Sequence, residues 1–267
     1  MSFSITGKTA IVTGAANGVG LAIGRQFLEM GANVMFADMD EQALEREIGD
    51  EAQKEENARI FAGDLRQRLT VANLLSATID AFDRVDILVN ASRQVLETDP
   101  LDPEDTSVEE LLQQNMMTAL RVSQAVARRM IKQAEEDEAQ ATGSIVNLSS
   151  IASRRTHPSL LGYSVSCAAM DQMTRSLAVA LAPAGIRVNA VAFGSVMSAS
   201  LKGSLKNQND MREAIVDNTP LSRIASPSEV SDAVQYLASD ASAFVTGQVI
   251  TVDGGRTLID PAAVSVH

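Results

Sequence analysis

Short, nearly unbroken apolar runs alternate along the chain with longer stretches whose apolar residues recur at helical spacing. The runs fall at residues 9–12, 33–37, 59–62, 85–89, 144–148, 187–192 and 249–252. A short run without polar alternation predicts a strand buried on both faces. Between these runs, helices are predicted over residues 18–30, 41–57, 69–82, 108 to about 134, 163–182 and 227–238. Gly31 closes the first helix, Asp83-Arg84 turns the chain into the fourth strand, and Pro227 sits in the first turn of the last helix. Strand and helix alternating from end to end predict an α/β, doubly wound parallel sheet with helices on both faces. Right-handed crossovers leave few ways to arrange it. No linker or repeat interrupts the pattern, so residues 1–267 read as one domain.

Two segments depart from this rhythm. Residues 132–142 are acidic and polar and read as an exposed helix end and loop. Residues 194–226, rich in Ser, Lys and Asn, follow the sixth strand. A long segment at the carboxyl end of a strand is where such sheets carry ligand lids, so this one is read as a substrate loop.

Thr13-Gly14-Ala15-Ala16-Asn17-Gly18-Val19-Gly20 lies between the first strand and the first helix. Gly14 permits a tight turn, Gly18 lets backbone approach a pyrophosphate, and Gly20 allows close packing of the helix. The helix N-terminus then presents free N–H groups and the positive end of its dipole to phosphates. Asp38 ends the second strand about 20 residues later, where a carboxylate accepts hydrogen bonds from an adenosine ribose 2′-OH. A 2′-phosphate would be repelled there, and the neighbouring Asn17 and Met39 supply no cation. The expected cofactor is NAD rather than NADP. An N-cap role for Asp38 is compatible with either.

Composition narrows the partners. The net charge is −12, which argues against a nucleic-acid surface or an acidic membrane. With 45% hydrophobic residues the chain can bury a full core, yet no stretch approaches the roughly 18 unbroken apolar residues of a membrane helix. A single cysteine fits a reducing compartment, and no basic n-region with an apolar run opens the chain, so a cytoplasmic location is expected. No metal-ligand pattern stands out.

These motifs resemble the short-chain dehydrogenase/reductase family from Gly7 to about Gly255. The resemblance rests on Thr13, Gly14, Gly18 and Gly20, on Gly63-Asp64-Leu65, on Gln114-Asn115-Met116 and on Ser150 closing residues 143–150. It extends to Tyr163 and to the segments Gly185-Ile186-Arg187-Val188-Asn189-Ala190-Val191, Thr246-Gly247-Gln248 and Asp253-Gly254-Gly255. It implies a seven-stranded Rossmann-type sheet and a homotetramer or homodimer. It further implies an NAD(H)-dependent oxidoreductase that interconverts a hydroxyl and a carbonyl on a small molecule. Tyr163, Ser150 and Asn115 would be the catalytic set. Gly14, Asn17, Gly18, Val19, Gly20, Asp38, Asp64, Leu65, Asn90, Ala91, Gly194, Val196 and Ser198 would contact the cofactor.

Three places depart from the family's pattern. The Tyr-x-x-x-Lys motif is Tyr163-x-x-x-Cys167. Asn-Asn-Ala-Gly after the fourth strand is Asn90-Ala91-Ser92-Arg93, and Pro-Gly after the sixth is Phe193-Gly194. All three lie on the nicotinamide side of the family's cleft. A free tyrosine titrates near 10, so without the lysine the oxidation direction suffers most, while a neutral Tyr163 still donates a proton. Activity slow or biased to reduction is expected; the alternative is a non-catalytic, NAD-holding scaffold. Cys167 reads as a small half-buried residue, and a nucleophilic thiol is the lesser reading. Arg93 is the candidate replacement cation. Arg93, Arg154, Arg155 and His157 are alternatively grouped as receivers of a substrate carboxylate or phosphate. His157 also reads as an ordinary loop residue, and Met116 and Met117 as core or interface.

Overall fold

The computed structural model describes residues 3–136, 143–206 and 209–260, apart from the side chains of Ala199, Ser200 and Ser204. Seven strands form one sheet: β1 Thr9–Thr13, β2 Asn33–Asp38, β3 Ala58–Ala62, β4 Ile87–Asn90, β5 Gly143–Ser150, β6 Ile186–Phe193 and β7 Val249–Val252. Their order is β3-β2-β1-β4-β5-β6-β7, and every pair is parallel. The chain winds outward through β2 and β3, then returns to the other side of β1 with β4. The switch point between β1 and β4 opens a crevice at the carboxyl ends of the strands, where ligands bind in such sheets.

Period-two alternation explains the two cores. Ala10, Val12, Val34, Phe36, Ile87 and Val89 point to one face. There they meet Ile23 and Phe27 of α1 (Gly18–Glu29) and Val230 and Val234 of α9 (Pro227–Ala238). Ile11, Met35, Leu88, Ile145 and Val188 point to the other face. They pack on Leu74 of α3 (Arg68–Phe82), on Val122 and Val126 of α5 (Thr118–Glu136), and on Ala178 of α6 (Leu161–Leu181). The charged helix α2 (Glu41–Lys54) ends short of the expected boundary, because its last polar residues lie beyond the buried stripe of Ala43, Leu44 and Ile48.

The single helix expected from residue 108 is instead three pieces: α4 (Ser107–Leu111), a π-helical turn (Leu112–Met117) and α5. The Gln113 carbonyl accepts from the Thr118 amide five residues on, which widens the turn, and also from the Thr118 hydroxyl at 3.0 Å. Asn115, inside this turn, is thereby directed into the protein, 5% exposed. The long segment after β6 carries two short helices, α7 (Ala199–Leu205) and α8 (Asn209–Asp217). The acidic stretch 132–142 begins as the end of α5, and its later part lies outside the described residues.

Candidate active site

Gly14 and Gly18 adopt positive φ, 64° and 56°. A Cβ on Gly14 would fall 2.6 Å from the Cα of Ser92, so the β1 turn is pressed against the loop after β4. On Gly20 it would strike the Gly14 carbonyl. On Gly18 it would meet only the Ser198 Cβ, at 3.8 Å, so this side of the turn is open. Asn17 is the α1 N-cap but makes no side-chain cap, which leaves the helix N-terminus to other acceptors. Val19 packs into the core beside it. The Asp38 carboxylate straps the turn from outside, accepting from the Ala16 amide (3.1 Å) and the Asp40 amide (3.1 Å). With about four acceptor positions on a carboxylate, room remains for hydroxyl donors.

Asp64 is held by Arg66 through two bonds of 2.8 and 2.9 Å, a clamp that keeps its carboxyl below the usual range. Leu65 beside it is buried. At the end of β4, Asn90 donates to Ser123 (3.0 Å) and Asn147 (2.8 Å), while its Oδ1 is buried without a partner. The Ala91 and Ser92 amides both donate to the Thr13 hydroxyl, at 3.1 and 3.2 Å. An open glycine turn, a helix N-terminus with no side-chain cap and a spare buried acceptor suit a dinucleotide. Val196 is buried, and Ser198 caps α7 by accepting from Leu201. Gly194 lies against Asp253, where a Cβ would stand 3.2 Å from that residue's own Cβ.

The proton-transfer candidates converge at the far end of the crevice. Ser150 ends β5, Tyr163 lies in the first turn of α6, and the Ser150 hydroxyl lies close enough to act on the Tyr163 phenol. Arg93 Nη1 donates to the Tyr163 hydroxyl at 2.8 Å. The same guanidinium lies 4.2 Å from the centroid of the Phe193 ring. Cys167 follows Tyr163 by one helical turn, meets its hydroxyl and is buried, 6% exposed, rather than half-buried as expected. Of the three sequence departures, Arg93 and Cys167 thus adjoin the Tyr163 phenol, and Phe193 seats Arg93.

Burial pushes the Tyr163 phenol above its ordinary value; the Arg93 cation opposes this, the Cys167 thiol adds to it, and Ser150 opposes it. Burial also pushes the Cys167 thiol up to about 11. At neutral pH it is protonated, which disfavours a nucleophilic role.

Asn115 ties the site together. Its Oδ1 accepts from the Gln94 amide (2.8 Å), and its Nδ2 donates to the Gln94 carbonyl (3.0 Å) and to Ser166 (3.1 Å). Ser166 in turn donates to the Tyr163 carbonyl at 2.9 Å. Gln94, Ser166 and Met170, which lines the small space beside Cys167, are contributors the sequence did not single out. Ser166 carried a weak signal, as a small hydroxyl three residues after Tyr163; Gln94 acts through its backbone and carried none.

The other candidate cations lie in separate surroundings. Arg155 donates to the Thr257 carbonyl, and His157 pairs with the Ser159 hydroxyl at 3.0 Å. Arg154 lines a cavity of about 640 Å³ with Ser195, Leu221 and Arg223, the last paired to Glu229 at 2.6 Å. Met116 packs with Ala119, Met170 and Met173, as a core residue does. Among the described residues no cluster of His, Cys, Asp and Glu has the geometry to hold a metal ion. None of the described helices is long and apolar enough to cross a membrane.

A sequence profile described as enoyl-(acyl carrier protein) reductase matches residues 14–257. Galactitol 2-dehydrogenase (L-tagatose-forming) of Cereibacter sphaeroides is 34% identical over 96% of this chain and 97% of its own. A 7α-hydroxysteroid dehydrogenase complexed with NADH and 7-oxo glycochenodeoxycholic acid superposes with a TM-score of 0.86. It is 27% identical, covering 95% of this chain and 96% of its own. A gluconate 5-dehydrogenase from Burkholderia cenocepacia in complex with NADP and tartrate gives a TM-score of 0.84. It is 28% identical, covering 97% and 98% of the two chains. The chain belongs to the short-chain dehydrogenase/reductase family, and it is an oxidoreductase of that family.

Proposed function

We propose that the chain interconverts a hydroxyl and a carbonyl group on a small-molecule substrate with NAD(H). The observation that carries this reading is the meeting of the Tyr163 and Ser150 hydroxyls at the same sheet end as the open glycine turn. The cofactor, when bound, supplies or accepts the hydride. Gly14, Asn17, Gly18, Val19 and Gly20 would hold its phosphates, Asp38 its adenosine ribose, and Asp64 and Leu65 its adenine end. Asn90, Ala91, Gly194, Val196 and Ser198 would line the nicotinamide end. The Asp38 carboxylate supports NAD over NADP, since a 2′-phosphate would meet a negative charge.

Ser150 holds and polarises the substrate oxygen through its hydroxyl. Tyr163 gives its phenolic proton to that oxygen in reduction and takes it back in oxidation. Because burial keeps Tyr163 protonated at neutral pH, it is ready to donate, and reduction is the favoured direction. Asn115 holds the loop after β4 against α6. A second copy of the chain would cover the edge strand β7, beside which Phe244 is fully exposed; sedimentation at graded concentrations, showing only monomer, would exclude this.

The experiment is a fluorescence titration with NADH and NADPH, followed by NADH oxidation against a panel of ketones. The reading requires tighter binding of NADH and turnover with at least one carbonyl. Tight binding with no turnover would favour the scaffold alternative.

A further inference from the structure

We infer that Arg93 is a positioning residue for Tyr163, supplying from the loop after β4 the fixed cation that holds the phenol and favours its ionised form. This deepens the oxidoreductase reading and rests on it for its role in turnover, but not for its physical basis.

Three contacts fix the guanidinium. One is its 2.8 Å hydrogen bond to the Tyr163 hydroxyl. Another is the Phe193 ring face, 4.2 Å away, which provides a flat seat for a planar cation. The third is indirect: Asn115 holds both backbone groups of Gln94, the next residue, and so anchors the loop. An arginine in place of the loop's glycine needs a surface to lie on, and Phe193 in place of proline provides it.

The groups acting on the Tyr163 hydroxyl come from three elements: Arg93 from the β4 loop, Ser150 from the end of β5, and Cys167 from α6 itself. Asp171, one turn beyond Cys167, acts on that thiol. Arg93 is the cation of the set. Burial opposes charge on the phenol, and Arg93 is the strongest of the influences offsetting it.

An arginine cannot relay a proton. After Tyr163 donates, its phenolate regains a proton from water while Arg93 keeps its own. Beside the phenol, a cavity of about 10 Å³ is bordered by Ser92, Arg93, Tyr163, Ser166 and Cys167. That is space for about one water molecule. Arg93 thus supplies a fixed positive charge beside the phenol and leaves the proton supply to solvent.

The chain has two tyrosines, no tryptophan, and Tyr236 as the only other phenol. A Tyr236→Phe background therefore makes tyrosinate absorbance a direct reading of Tyr163, without cofactor or turnover. Stopped-flow pH jumps read it before alkaline unfolding. Arg93→Met should raise the Tyr163 titration by about 1–3 units, the span for loss of an adjacent opposite charge. Arg93→Lys, which keeps the charge, should recover part of that shift. In turnover, Arg93→Met should move the alkaline-rising limb of alcohol oxidation upward by the same amount, with kcat falling more than KM changes.

A titration unchanged or lowered in Arg93→Met would overturn the inference. So would tighter NADH binding by that variant with an unmoved titration, because Arg93 would then be a plug in the nicotinamide space. The oxidoreductase reading fails separately, on the absence of turnover by the native chain with any carbonyl, which leaves the tyrosine titration intact as evidence.

Discussion

Asn115 satisfies both backbone groups of Gln94 with one side chain, accepting at 2.8 Å and donating at 3.0 Å. The pair locks the loop after β4 to the π-helical turn. Its third bond, to Ser166, passes the constraint to α6. Arg93 and Tyr163 therefore face each other from elements that one amide holds in register.

Replacing Asn115 by alanine leaves the Gln94 groups and Ser166 without their partner. At about 0.5–1.5 kcal/mol for each of the three hydrogen bonds removed, a loss of about 2–3 kcal/mol is expected. For a chain of this size that is a fall in Tm of about 5–10 °C. Calorimetry checks it. NADH binding should weaken as well, because Asn115 anchors the loop that carries Ala91 and presses on the glycine turn.

Asp38→Asn keeps an acceptor for the Ala16 amide but removes the charge. A hydrogen bond to a charged group is worth about 1.5–3 kcal/mol, so NADH affinity should fall by about 10-fold or more. NADPH affinity should rise, since the repulsion is gone. Paired fluorescence titrations give the ratio; an unchanged ratio would remove Asp38 from the cofactor site.

Restoring lysine at Cys167 should not by itself restore a lysine-type site. The free space there is about 10 Å³ and Arg93 borders it. The longer side chain overpacks the site, at about 1–3 kcal/mol, and sets a second cation against the first. Cys167→Lys should lower Tm, and adding Arg93→Gly should recover part of the loss. A Cys167→Lys variant as stable as the parent would show that the space opens freely.

The Cys167 thiol gives a pH signature. Burial lifts its folded pKa to about 11, against an ordinary value of 9.0. A raised folded value means its contribution to stability is full below pH 9.0 and is lost as pH rises through about 11. Cys167→Ala should therefore flatten part of the decline in chemical-denaturation stability across that window. In the same native chain, a disulfide reagent at neutral pH should react more slowly than with free cysteine.

The sheet was legible because buried parallel strands write themselves as apolar runs, and β7 and α9 fall at the expected residues. The glycine turn was legible too, since Gly14 and Gly18 need their positive φ whatever surrounds them. The π-helical turn was not: residues 108–134 keep a helical pattern, and the break depends on Asn115 finding Gln94 across the fold. The direction of Arg93 was likewise open, because a loop side chain is aimed by its anchor and its seat. Asn115 and Phe193 provide those, and neither neighbours Arg93 in sequence. Arg154, Arg155 and His157 looked like one group because they are close in sequence, yet loop geometry gives each a different environment.

The central claim is that Tyr163 moves the proton in an NAD(H)-linked reaction. Its most direct test is single-turnover NADH oxidation with a reactive ketone, native chain against Tyr163→Phe. The account predicts measurable turnover in the native chain and a loss of about 100-fold or more in the variant, with the NADH Kd unchanged. Equal rates in the two proteins would contradict it.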